Sequence, residues 1–349
     1  MALFQSSPRS ICILRLSAIG DVCNAVAAVQ AIQRYWPETR ITWITGKLEA
    51  QLISDLPGIE VIIFDKKQGW HAYKQVWQQL KEHRFDALLH MQYAIRASIL
   101  TLGIKARYKL GFDATRSQDF QTLFTNVKVP SPAQPHVLDG FLAFAQHLGV
   151  KDISPTWNIS YSAEDKQWAE KHLDLHHKNL VIVAGASKKY KNWIPEGYAR
   201  VLEHATQSGW NIILAGSPSA TETQLADDIL RETTASVTNL VGESSIKQML
   251  ALIDLADLLI APDTGPTHMA NAMKTPVIGL YAHHNPARTG PYHYRDSVIS
   301  VYEEALKAEQ KKEISQLSWR TRVKDEQAMK RIKADDVIIM FERISQQLS

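Results

Sequence analysis

Cysteine is almost absent from this chain: Cys12 and Cys23 are the only two in 349 residues. That excludes a disulfide framework and fits a reducing compartment such as the cytoplasm. Both fall in apolar surroundings and read as small core residues. Long apolar runs are missing as well. None approaches the roughly 20 residues that span a bilayer, so no transmembrane helix is expected. The opening Met-Ala-Leu-Phe-Gln-Ser-Ser-Pro-Arg-Ser lacks a charged region followed by an uninterrupted apolar one, and no signal peptide is expected. Charge of one sign is scarce too. The 39 Lys and Arg against 36 Asp and Glu leave a formal net charge of +3, and with no recognised nucleic-acid motif beside it, DNA or RNA is not an expected partner.

Several signatures are also lacking. There is no Gly-Lys-Ser/Thr phosphate loop, no His-Glu-x-x-His and no cysteine pair with zinc spacing. The first strand-turn-helix has one glycine where a dinucleotide fingerprint wants three, which speaks against an oxidoreductase.

What is present is strand–helix alternation in two similar halves. In the first, apolar runs predict strands over 11–16, 41–45, 61–64 and 87–90, with helices over 22–35, 49–56 and 72–82 between them. A Pro-rich loop at 130–135 precedes an amphipathic helix over 137–148, and 149–159 reads as a linker. The second half predicts strands over 180–184, 211–215, 239–241, 258–261 and 277–281. Its helices are expected over 163–173, 195–208, 220–232, 245–252 and 265–273, with a last one over 335–348. Short connections between alternating elements argue for parallel, doubly wound sheets, and the length argues for two domains.

Two strand-to-helix turns stand out. Asp263-Thr264-Gly265-Pro-Thr-His268 ends a buried run and opens a helix with proline in its first turn. Such an opening presents backbone N–H groups and a positive helix end to phosphate. Thr264 can add a hydroxyl, Gly265 admits close approach, and His268 follows one turn on. The same residues also read as an ordinary turn with a capping Asp-Thr pair. Near the N-terminus, Ser17-Ala-Ile-Gly20-Asp21 again leaves a buried run for a helix, and Asp21 reads either as a helix cap or as a general base.

Taken together with Ser187-Lys-Lys-Tyr-Lys191-Asn-Trp193-Ile-Pro195, these turns resemble the lipopolysaccharide heptosyltransferases of glycosyltransferase family 9. The three motifs fall in the family's order, and the resemblance covers most of the chain. Ile194 is an extra residue between the Trp and Pro of the family pattern. The resemblance implies a GT-B fold: two Rossmann-like doubly wound parallel-sheet domains, α/β in class, facing across a cleft. Residues 1–155 would bind the acceptor and 156–330 the nucleotide-sugar, and a helix in 331–349 would cross back onto the first domain.

The resemblance also implies a reaction and its residues. Heptose would pass with inversion from ADP-heptose to the Kdo of Kdo-lipid A, or alternatively to the first heptose already added. Asp21 would be the base and Lys191 would neutralise the departing diphosphate. Ser187, Glu222, Asp263, Thr264, Gly265 and His268 would hold the donor. Lys66, Lys67 and Arg116 fall where the family binds an anionic sugar acid. Arg288, which would meet the acceptor or a phosphate, lies in a loop, His283-His-Asn-Pro-Ala-Arg288, that departs from the family's Gly-Pro-Thr pattern and marks a subgroup. Glu222 also reads as a plain first-turn helix carboxylate. No Asp-x-Asp is present, so no metal site and no cofactor are expected, and the pairs His176-His177 and His283-His284 need not be ligands. A late basic segment, Lys307 to Lys333, reads either as a solvated face or as contact with an anionic leaflet. A cytoplasmic monomer, peripheral on the inner membrane, is the expectation. An epimerase or a non-catalytic sugar-nucleotide-binding protein would share the fold. The first has no need of an acceptor site, and the second none of Asp21.

Overall fold

A computed structural model describes residues 2–348. The chain divides into two compact units, one ending at Ser160 and the other beginning at Tyr161. The expected boundary after residue 155 is earlier, because the connecting segment is tied to the first unit. Arg34 Nη2 donates to the Ser154 carbonyl at 2.9 Å and Trp157 Nε1 to the Cys23 carbonyl at 2.8 Å. Gln30 and the Asn158 backbone exchange two bonds of 2.9 and 2.8 Å.

The first unit runs β1 (Ser10–Leu14), α1 (Ile19–Tyr35), β2 (Arg40–Gly46), α2 (Lys47–Ile53), β3 (Ile59–Phe64), α3 (Trp70–Gln79) and β4 (Phe85–His90). It continues with α4 (Ile95–Leu100), β5 (Ala106–Phe112), β6 (Val127–Val129) and α5 (Val137–Leu148). Its six strands are all parallel, in the order β3-β2-β1-β4-β5-β6. A parallel sheet is covered on both faces, which is why β1 is apolar at Ile11, Cys12, Ile13 and Leu14 without alternation. On one face α1 packs against α5. Alanines at 25, 27, 28 and 31 of α1 are fully buried.

The second unit runs α6 (Ala163–Glu170), β7 (Asn179–Val183), α7 (Pro195–Gln207), β8 (Asn211–Gly216), α8 (Ala220–Arg231), β9 (Thr238–Val241) and α9 (Ile246–Leu255). Then come β10 (Leu258–Pro262), α10 (Gly265–Met273), β11 (Val277–Tyr281), α11 (Pro286–Thr289), β12 (Val298–Ser300), α12 (Tyr302–Gln310) and α13 (Ala334–Gln347). Its sheet is also six-stranded and parallel, ordered β12-β11-β10-β7-β8-β9. Local chemistry starts the helices: Ser162 and Ser245 each form a capping box for α6 and α9, and Pro195 opens α7. Each unit thus has the expected doubly wound α/β architecture.

The last helix joins the second unit's core through Val337, Phe341 and Ile344 of α13. The Phe341 ring lies 5.1 Å from Trp210 and 5.9 Å from His204. This apolar stripe covers the second unit, packing on α7 and β11.

Two tests follow from this packing. Phe341→Ala is expected to destabilise the second unit by about 3–5 kcal/mol, the usual effect of removing a buried Phe. The readout is the urea midpoint of its unfolding, and a change below about 0.5 kcal/mol would place α13 at the surface instead. In the first unit, His90 is fully buried, with Nε2 3.0 Å from Ser98 Oγ. Burial, with Arg15 assisting, pushes its pKa from 6.5 down to about 3. The unfolded chain takes up that proton first, so stability is expected to fall as pH drops from 6.5 toward 3, by up to about 1.4 kcal/mol per pH unit. His90→Gln should flatten that slope, and an unchanged slope would assign it to other groups.

Candidate active site

In the first unit the chemistry-bearing residues gather where β1 to β4 end. Helix α1 has no side-chain cap, its N-cap residue being Ala18. Asp21 stands in the first turn, where the positive helix end favours a carboxylate. Arg15 Nη2 donates to Asp21 Oδ2. Arg15 is itself buried, gives Nη1 to the Met91 carbonyl at 2.7 Å and lies 5.2 Å from the Phe141 ring centroid. The capping alternative for Asp21 is thereby replaced by an ion pair with a fixed guanidinium, the carboxylate side being 35% exposed. Sequence reasoning misses Arg15, whose one signal is a lone cation closing an apolar run.

Neighbouring turns add further groups. Glu49, in the first turn of α2, is buried. Burial raises its pKa against the opposing pull of its own backbone N–H, Lys66 and Arg15. Lys66 and Lys67 are exposed in the short turn after β3, where Asp65 Oδ1 accepts from the Lys67 N–H at 3.0 Å. Two glutamines brace the rim. Gln92 Oε1 accepts from the Leu16 N–H at 2.6 Å and its Nε2 donates to Ser17 Oγ at 3.2 Å. Gln121 Nε2 donates to the carbonyls of His90 and Gln92 at 2.7 and 3.0 Å.

Arg116 does not join this group as an exposed cation. It is 5% exposed, and its guanidinium donates to the carbonyls of Gln134, Pro135 and His136. Arg116 thus clamps the proline-rich loop before α5.

The second unit gathers its groups at the ends of β7, β8, β10 and β11. Ser187 is exposed in the loop after β7, and Lys191 follows in a single helical turn. Trp193 anchors that loop, buried with Nε1 donating to the Ile332 carbonyl at 3.1 Å. Lys191 Nζ reaches Asp263 Oδ2 at 2.7 Å and the Asp263 carbonyl at 3.2 Å. The same Oδ2 accepts from His284 Nδ1 at 2.6 Å. Burial alone raises the Asp263 carboxyl, but His284 and Lys191 outweigh it and hold the group well below the usual carboxylate range. Asp263 is thus an ion-paired carboxylate and not a cap. His284, set aside in the sequence as an unassigned histidine, completes the cluster.

Beside it, α10 opens at Gly265 with Pro266 in its first turn, and Thr264 makes no side-chain capping bond. Thr267 Oγ1 donates to the Pro262 carbonyl at 2.7 Å, fixing the helix start to the strand end. His268 is buried one turn along. Glu222 lies in the first turn of α8, its carboxylate accepting from the Ser217 N–H at 2.8 Å and the Ser217 hydroxyl at 2.6 Å. A side chain at Gly185 would collide with Cγ of Glu222, so the glycine after β7 makes room for this acid. Arg288 stands on α11 with its guanidinium 5.8 Å from the Trp319 ring centroid, outside the Lys191–Asp263–His284 cluster. Part of the late basic segment is neutralised locally, Lys307 by Glu313 at 2.8 Å and Arg331 by Glu304 at 3.1 Å. Among the described residues no three His, Cys, Asp or Glu converge as metal ligands, and no helix is long and apolar enough to cross a membrane.

Residues 73–319 match the model of glycosyltransferase family 9 (heptosyltransferase). The lipopolysaccharide core heptosyltransferase OpsX of Haemophilus influenzae is 47% identical over 344 residues, covering 99% of each chain. Lipopolysaccharide heptosyltransferase 3 of Escherichia coli K12 is 23% identical over 275 residues, covering 75% of this chain and 79% of its own. Among solved structures, a family 9 glycosyl transferase from Veillonella parvula superposes with a TM-score of 0.79 at 20% identity, over 99% of both chains. The Escherichia coli heptosyltransferase WaaC with ADP gives 0.73 at 19% identity, over 96% of this chain and 99% of its own. At these identities the two structures establish the fold.

The Asp263 cluster carries a pH signature. Its carboxyl is depressed in the folded protein, so its stabilising contribution is complete above the ordinary value of 3.8 and is lost as pH falls toward the folded value. The difference in unfolding free energy between the native chain and Asp263→Asn is expected to be constant at neutral pH and to shrink in acid. A pH-independent difference would mean that the carboxylate's charge is not what stabilises the turn.

Proposed function

The chain belongs to glycosyltransferase family 9, the heptosyltransferases, and on that footing we propose that it transfers L-glycero-D-manno-heptose from ADP-heptose to the Kdo of Kdo-lipid A. The observation that carries this reading is the 47% identity, along the whole chain, to a lipopolysaccharide core heptosyltransferase.

In this proposal the first unit holds the acceptor and the second the donor. An oxygen of Asp21 takes the proton of the acceptor hydroxyl as that oxygen forms its bond to the anomeric carbon. Arg15 keeps the carboxylate oriented, and Lys66 and Lys67 meet the anionic sugar acid. The bond from the anomeric carbon to the diphosphate breaks on the opposite side, and its electron pair leaves on the phosphate oxygen. A single displacement of this kind inverts the anomeric centre. Lys191 and the N–H groups at the start of α10 receive the developing charge, and each such fixed donor contributes on the order of 3 kcal/mol. Ser187, Thr264, Gly265 and His268 line the donor's path, and Glu222 takes its ribose or sugar hydroxyls. These cations and N–H donors fill the role of a metal, so the proposed reaction needs none and no cofactor. Because the acceptor is a lipid, the proposal places a monomeric enzyme at the cytoplasmic face of the inner membrane.

The test is a transfer assay with ADP-heptose and Kdo-lipid A, read by mass spectrometry of the lipid. A gain of one heptose unit is expected. Transfer only to an acceptor already carrying heptose would assign the chain to the next step of core assembly. Asp21→Asn is expected to leave ADP affinity within about 2-fold while turnover falls about 10²–10⁴-fold. Wild-type turnover in that variant would remove Asp21 from the role of base. Lys191→Ala is expected to weaken both ADP binding and turnover.

A further inference from the structure

His284 is built into its place. The preceding His283 is 3% exposed, with Nδ1 3.1 Å from the Val323 carbonyl. The following Asn285 caps α11, its Oδ1 accepting from the Ala287 N–H at 2.9 Å. Between these anchors the His284 ring meets Asp263 Oδ2 at 2.6 Å, on the oxygen that Lys191 holds at 2.7 Å. A carboxylate oxygen only accepts, so Nδ1 carries the proton. Lys191, Asp263 and His284 line one small hollow, and their side chains are 16%, 14% and 23% exposed.

This double hold has a consequence for the donor. The Lys191 charge is engaged by Asp263. Turning that ammonium to a phosphate would, in a simple pair, strand a largely buried carboxylate, which is strongly unfavourable. A second donor on the same oxygen removes the obstacle. We infer that His284 is a positioning residue of the donor site, keeping Asp263 satisfied while Lys191 transfers its hydrogen bonds to the diphosphate of a nucleotide-sugar. This rests on the proposed role of Lys191. Without His284, Lys191 is locked on Asp263 and the diphosphate loses its cation.

Calorimetric titration with ADP tests this on the full chain, using His284→Ala, His284→Asn, Lys191→Ala and the double variant His284→Ala/Lys191→Ala. His284→Ala is expected to weaken ADP about 10-fold, whereas His284→Asn, whose amide N–H can stand in for Nδ1–H, should return to within about 3-fold of wild type. In the Lys191→Ala background the His284 change should alter affinity less than about 2-fold, because the lysine it would release is gone. Equal losses in both backgrounds would overturn the inference in favour of a direct or general structural effect. Wild-type affinity in His284→Ala, with Lys191→Ala still weakened, would overturn the inference and leave the donor-site reading standing. An ADP affinity unaffected by Lys191→Ala would bring down both. Should His284→Ala fail to fold by thermal melting, His284→Met, similar in bulk and without the donor, takes its place.

Discussion

Parallel strand pairing is the constraint on which the rest depends. When every strand of a sheet points the same way, every turn that leaves a strand's carboxyl end falls on one edge. In the first unit this collects Arg15 and Asp21 after β1, Glu49 after β2, Lys66 after β3 and Gln92 after β4. In the second it collects Lys191 after β7, Glu222 after β8, Asp263 after β10 and His284 after β11. Residues spread from Arg15 to Gln92 in the first half, and from Lys191 to His284 in the second, become neighbours without any long-range recognition beyond backbone pairing. The helices that follow these strands contribute their positive ends to the same edge.

Each edge then meets the same electrostatic difficulty, that of holding a functional charge ready in a partly dry setting. Both units answer it with a pre-formed pair, Arg15 with Asp21 and Lys191 with Asp263. The two differ in which member is buried deeper and in what else supports it. In the first pair the cation is fixed by a backbone carbonyl and an aromatic face while the carboxylate reaches outward. In the second both partners are largely covered and a histidine shares the load. A paired charge of this kind keeps its geometry because either partner alone would be costly to leave in place.

Most of the sheet was legible in the sequence, since buried parallel strands are uninterrupted apolar runs between turn residues. Strands β5, β6 and β12 were not. The first carries Arg107 and Lys109 in its middle, where long polar side chains at a half-covered position break the apolar run, and the other two are three residues long. The turns around Asp21 and Asp263 could be read as sites, but their ion pairs could not, because Arg15 and His284 come from segments whose own pattern carries no such signal. Nor does the sequence show that Arg116 is buried, since the three backbone carbonyls that accept from its guanidinium lie 18 to 20 residues on. The stripe on α13 is visibly apolar in the sequence. Which surface it covers is a tertiary fact that periodicity does not contain.

The rim bearing Asp21 is stitched by Gln92 and Gln121, whose side-chain amides take the backbone groups of Leu16, His90 and Gln92, with Gln92 also reaching the Ser17 hydroxyl. Amides neither ionise nor attract counter-ions. These amide bonds are therefore themselves indifferent to acidity and to salt, in contrast to the charged groups beside them. Neutral amide bonds share the holding of this edge with a buried histidine and a buried guanidinium, so acid acts on the rim through His90 and not through the amides.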